Sequence, residues 1–207
     1  MNDDELRVKT LQQYRLLMRN IRARFEIVDS LKLSHTSDYP ELETAAFHLR
    51  KSIEGVAFGC LVAMENGLKS VPRDAIGQWN ADRIFSKVAK RTPVIFPVAI
   101  DREDPPAEAV GVQHHLVTNK DCNLSVDQVR AVYRRTHRWL HEMNPYIPIT
   151  ADKFSELRAD LLADVVSVWK WLLHHFISAS GEVFLTVLKT EDGELEVSSA
   201  SANIAKA

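Results

Sequence analysis

Six apolar residues near the start of the chain, Leu11, Tyr14, Met18, Ile21, Phe25 and Val28, recur at intervals of three, four, three, four and three. An α-helix returns to the same face at that spacing, so these side chains form one seam on a long helix, with Arg and Lys elsewhere around it. The helix is predicted from Asp4 to Leu33. After the break "SHTSDYP" a second seam follows: Leu42, Ala46, Leu49, Ile53, Val56, Cys60 and Met64. Ser37 or Asp38 can cap its start, Pro40 is tolerated in its first turn, and Gly67 follows Asn66 as a C-terminal stop. Two such helices joined by a short link bury their seams against each other as an antiparallel pair.

The stretch 68–124 is less regular. "WNADRIFSKVAKR" predicts a short helix, and the proline-bearing excursion that follows predicts extended chain with one or two short strands. Ser125 and Gln128 have capping-box spacing at the head of a third long helix, which the prolines at 145 and 148 forbid from continuing. A fourth helix is predicted from Ala151 to Ser178, with Leu157, Leu161, Val165, Val168, Leu172 and Phe176 inward. "VFLTVLKTEDGELEVSSA" alternates apolar and polar residues around Asp192-Gly193, the pattern of a β-hairpin. The expected fold class is therefore all-α: an up-down bundle of four long helices over residues 1–180, with an irregular insertion at 68–124, a hairpin appendage at 181–200 and a tail at 201–207.

Composition narrows the function classes. Hydrophobic residues make up 45% of the 207 and the formal charge is −2, so the chain has no global basic field and any nucleic-acid contact must be local. The N-terminus "MNDDELRVKT" lacks the apolar run of a signal peptide, and the most apolar window, "LLADVVSVWKWLLHHFI", is too short and too interrupted by Asp164, Lys170, His174 and His175 to span a bilayer. Two cysteines, Cys60 and Cys122, fit a reduced protein. A cytoplasmic protein with no membrane contact is expected.

The local basic patch is "RRTHRWLHEMNP" (134–145). At about 100° per residue, Arg130, Arg134, His137 and His141 stack on one helix face. Val129, Val132, Tyr133, Thr136, Leu140 and Met143 form the buried arc a quarter-turn away. An imidazole beside a fixed guanidinium can move a proton while the guanidinium steadies a phosphate, the equipment for cleaving an RNA phosphodiester without a metal. Solvated helix flanks also carry Arg and His, however. Arg130 can pair with Asp127, Arg138 with Glu142, and His141 gains from the helix C-terminal dipole.

Arg134 or Arg135 followed by His141, late in a helical bundle, resembles the HEPN superfamily, whose members include prokaryotic ribonuclease toxins and abortive-infection proteins as well as non-catalytic versions. The helix "AAFHLRKSIEGVAFGCLVA" is similar to the "LRKALE" helix of such bundles. The likeness spans roughly 38–66 and 125–178. It implies a metal-independent endoribonuclease built at a homodimer interface, with a possible antitoxin or other partner protein. The ribose 2′-hydroxyl would attack the phosphate, with His141 in acid–base work and Arg134 or Arg135 on the phosphate. Arg134 is preferred because it shares the His141 face. Arg130, His137 and Arg138 would add RNA contacts. Active members commonly follow the Arg with a small polar residue; here Arg135 follows Arg134, and Thr136 follows Arg135. The alternative is a non-catalytic scaffold or ligand-binding bundle.

His137 and His141 could share a zinc ion with His114, His115 or Cys122, but no Cys-x-x-Cys or His-Glu-x-x-His accompanies them, and the expectation is no metal and no cofactor. Arg50 and Glu54 form an i, i+4 pair that is either a surface ion pair or, with Glu54 reaching across the bundle, a support for the basic strip. His174 and His175, at the end of the fourth helix, suit capping or core-edge roles.

Overall fold

The computed structural model describes residues 2–31, 39–67, 71–91, 94–103, 115–141, 146 and 149–201. Helix α1 (Asp3–Ser30) opens on an Asn2–Glu5 capping box, and α2 (Tyr39–Asn66) packs along it as the expected antiparallel partner. Tyr14, Met18, Ile21, Phe25 and Val28 are all buried, so the seam read from spacing is the seam that packs. The two helices come close because α2 has no side chain at Gly59: a Cβ there would stand 3.2 Å from the Tyr14 ring.

Short helices α3 (Arg73–Ile76) and α4 (Ala81–Val88) follow, then strands β1 (Val98–Glu103) and β2 (His115–Thr118). Next come α5 (Val126–Arg135), a 3-10 turn at Thr136–Trp139, and α6 (Ala151–Leu173). The chain ends in β3 (His174–Ala179), β4 (Glu182–Val187) and β5 (Glu196–Ser201). All five strands join one antiparallel sheet in the order β2-β1-β3-β4-β5.

That sheet overturns the all-α expectation: the fold is mixed α/β, with three long helices rather than four among the described residues. The predicted hairpin is present, with Gly193 at φ 82° in its turn. It is not an appendage, because β4 pairs along its length with β3 across the expected boundary at residue 180. Two strands of the excursion are present as β1 and β2, while 104–114 lie outside the described residues. The decisive error concerns the fourth helix, which stops at Leu173 instead of Ser178 and passes into β3 without a loop.

The stop has an identifiable chemistry. A helix leaves its last carbonyls without intrahelical partners. The Leu172 carbonyl accepts from His175 Nδ1 at 2.7 Å, and the Leu173 carbonyl accepts from the Leu188 backbone N–H at 2.8 Å. His174 takes extended geometry (φ −128°, ψ 112°), and inward residues then alternate as His175, Ile177 and Ala179. A carbonyl can only accept, so Nδ1 carries the proton and Nε2 is a lone pair. The Tyr14 hydroxyl donates to it at 3.0 Å, and the Tyr14 ring stacks on Phe184 at 4.6 Å. One buried imidazole therefore ties α1, α6 and the central strand together. The end of α2 is fitted to the same strand: a Cβ on Gly67 would lie 2.6 Å from the Ala179 carbonyl oxygen.

Burial lowers the His175 pKa to about 4 from its ordinary 6.5. Between those values the unfolded chain takes up a proton that the folded chain refuses, so stability falls as pH drops from about 6.5 toward 4 and levels off below. From pH 7.5 to pH 5 this group alone removes about 2 kcal/mol. In His175→Gln, whose amide can keep both hydrogen bonds, the extra loss at pH 5 should vanish. Denaturant unfolding of both proteins at the two pH values checks it, and equal losses would contradict it.

Candidate functional site

The basic strip begins where the sequence places it. Ser125 Oγ accepts from the Gln128 N–H and Gln128 Oε1 accepts from the Ser125 N–H, completing the capping box of α5. Val129, Val132 and Tyr133 face inward. The helix is shorter than predicted and tightens after Arg135, where the buried Thr136 hydroxyl donates to the Tyr133 carbonyl at 2.7 Å. Trp139 anchors the 3-10 turn, packing with Tyr39 of α2 and Phe154 of α6 at ring separations of 5.6 and 6.2 Å. Met143 lies outside the described residues.

Three of the strip's arginines are pinned by carboxylates. Arg130 Nε donates to Asp82 at 2.7 Å and its Nη1 to Asp127 at 3.3 Å. Arg134 Nη2 donates to both oxygens of Asp82 at 3.0 and 3.1 Å. Arg135 turns the other way and grips Asp164 of α6 through Nε at 2.8 Å and Nη2 at 2.6 Å, a two-point contact with a buried carboxylate. Hydrogen bonding from Arg130, and then from Arg134, holds the Asp82 carboxyl below its usual range. Asp82 and Asp164 in turn raise the already high pKa of Arg130 and Arg135. The like charges that spacing sets side by side are thus compensated from neighbouring helices.

His137 and His141 remain exposed, with their Nε2 atoms 3.0 Å apart and their rings edge-to-face at 4.4 Å. The His141 carbonyl accepts from the Tyr39 hydroxyl at 3.2 Å. Arg138 is exposed and has no ion pair among the described residues; Glu142, its expected partner, lies outside them. The Arg134 side chain, although paired, is 61% exposed. Shallow surface concavities lie elsewhere, beside the first turns of α1 and between Arg15, Arg102 and β5. Arg134, His137, Arg138 and His141 line neither of these concavities.

Arg50 and Glu54 stand as an i, i+4 ion pair at 3.5 Å, and both contact Tyr133 of α5. Arg50 lies over the Tyr133 ring at 3.9 Å and donates to its hydroxyl at 2.6 Å, and that hydroxyl donates to Glu54 at 3.2 Å. Lys51 also holds Glu54, at 2.7 Å. Sequence reasoning missed Tyr133, Asp82 and Asp164 as members of the site. A Tyr among aliphatic core positions, whose hydroxyl needs a partner, was a usable signal, as was an Asp inside the apolar run of α6. Among the described residues no cluster of three or more His, Cys, Asp or Glu could hold a metal ion, so His115 and Cys122 do not join the histidine pair, and His114 lies outside the described residues.

No known protein-family model matches the chain, and neither does any curated protein or any solved structure.

The Arg135–Asp164 contact couples α5 to α6. Arg135→Ala leaves the buried Asp164 carboxylate poorly solvated and should cost about 1–3 kcal/mol, more than Asp164→Ala, which strands only a part-exposed guanidinium. A double-mutant cycle of the two should give a coupling of at least about 1 kcal/mol, against a few tenths for the exposed Arg22–Glu26 pair. Denaturant midpoints measure both, and equal couplings would show that the buried contact does not fix α5 on α6.

Proposed function

We propose that the protein binds the phosphate backbone of RNA along the surface of α5 and its 3-10 turn. One observation carries this reading: Arg138 stands without a carboxylate partner among the described residues, beside an exposed His137–His141 pair and a mostly exposed Arg134. Compensation from Asp82 and Asp164 removes the repulsion within the strip and leaves guanidinium edges outward, which is what phosphate oxygens contact. The area of positive charge is small, so binding is modest, salt-dependent and indifferent to base sequence.

Cleavage is the second reading, favoured by the imidazole contact itself. Two imidazoles sharing one proton comprise a base and an acid. The base takes the proton from a ribose 2′-hydroxyl, the 2′-oxygen attacks phosphorus, and the acid protonates the departing 5′-oxygen, leaving a 2′,3′-cyclic phosphate. In this reading Arg134 or Arg138 steadies the phosphate, and a second copy of the chain completes the open site, as the HEPN likeness implies. Arg135 is committed to Asp164 and acts by positioning α5. The setting fits a reduced cytoplasm, with Cys60 and Cys122 both free, and no helix among the described residues is long and apolar enough to cross a membrane.

Fluorescence anisotropy with a short labelled single-stranded RNA tests the proposal. Affinity should fall with salt at a slope of about −0.7 for each phosphate neutralised, and Arg138→Ala should lower that slope by about 0.7. Absence of binding at low salt, or a slope unchanged in Arg138→Ala, refutes it. Incubation of the same RNA in excess chelator separates the two readings. Loss of cleavage with retained binding in His137→Ala and His141→Ala supports catalysis, whereas intact RNA with the parent protein leaves a binding module alone.

A further inference from the structure

The His137–His141 pair brings two Nε2 atoms to 3.0 Å on an exposed turn. Only one proton fits between them. When it leaves, two lone pairs face each other across a gap that a cation would fill. Two imidazole nitrogens bound to one tetrahedral ion at about 2.0–2.1 Å stand about 3.3 Å apart. The rings need open by only a few tenths of an ångström to reach that spacing, and both are free to do so at the surface. The edge-to-face arrangement, with ring planes at 83°, keeps the two rings from colliding as they open.

The surrounding charge permits a cation where the bare sequence argues against one. Arg130 and Arg134 are compensated by Asp82 and Asp127, and Arg135 by Asp164. Arg138 alone is left without a carboxylate among the described residues. Among the described residues the donor set is two imidazoles without a carboxylate, which suits borderline transition metals and not Mg2+ or Ca2+. No third protein ligand among the described residues stands beside the pair.

We infer that His137 and His141 form a two-imidazole chelate for a divalent transition ion of the Zn2+, Ni2+ or Cu2+ class. Occupancy removes both imidazoles from proton transfer, making the ion an antagonist of any acid–base role of the pair. The inference does not depend on RNA binding, because the chelate needs only the two rings.

Isothermal titration of the chelator-stripped full-length chain with Ni2+ is the test, with far-UV circular dichroism confirming the fold of each variant. The parent protein should take up one equivalent. His137→Ala and His141→Ala should each weaken that binding at least tenfold, and His115→Ala, an exposed histidine outside the pair, should leave it unchanged. No uptake by the parent protein, or undiminished uptake in His141→Ala, overturns the chelate whatever the RNA assay shows.

Discussion

The imidazole of His175 is the joint on which the architecture turns. It is fully enclosed, its Nδ1–H closes the end of α6 on the Leu172 carbonyl, and its Nε2 receives the Tyr14 hydroxyl of α1. A helix passing into a strand without a loop has few ways to satisfy its last carbonyls, and here a side chain two residues into the strand and a neighbouring strand's backbone do it. β3 then runs between β1 and β4. The frame is apolar around that joint, with Phe184 against Tyr14 and Trp171 stacked on Phe96 at 5.0 Å while donating to the Pro97 carbonyl at 3.2 Å. A neutral imidazole in such surroundings is stable only while it stays neutral, which makes the fold sensitive to acid at a single buried position.

The basic strip is a derivative of that frame. α6, fixed at its C-terminus by the joint, offers Asp164 to Arg135; α4 offers Asp82 to Arg130 and Arg134; and α2 offers Arg50 and Glu54 to Tyr133. Three helices thus hold α5 by polar contacts on three sides. The contacts from α4 and α6 each absorb charge that would otherwise repel its neighbours, and what remains outward is the pair of imidazoles, Arg138 and the exposed part of Arg134. Carboxylates that neutralise arginines both orient them and weaken their field, so on the proposed reading phosphate is recognised by geometry at short range more than by attraction from afar.

Much of the frame was legible because it rests on local periodicity. The α1 seam from Tyr14 to Val28, the Ser125 capping box and the Asp192-Gly193 hairpin all follow from spacings within a few residues. The end of α6 was not, because Leu172 and Phe176 continue the helical interval while His175, Ile177 and Ala179 begin a strand interval in the same stretch. No glycine or proline separates the two patterns, and the choice between them is made by Tyr14, 161 residues from His175, and by Leu188, which lies beyond β4. The site divides in the same way. The His137–His141 spacing and the Arg130–Asp127 pair were readable within one element. Asp82 and Asp164 meet their arginines across 48 and 29 residues, and no local pattern reports that.

We propose that phosphate meets the protein along the exposed strip of Arg138, His137 and His141, and not at the buried His175. Long-range proton–nitrogen spectra of the histidine rings, recorded while a short RNA is added, address this directly. The His137 and His141 ring nitrogens should shift together with saturation, while His175 keeps the fixed Nδ1–H pattern imposed by Leu172 and Tyr14. Saturable RNA binding that leaves both exposed rings unmoved would place the ligand elsewhere and contradict the claim.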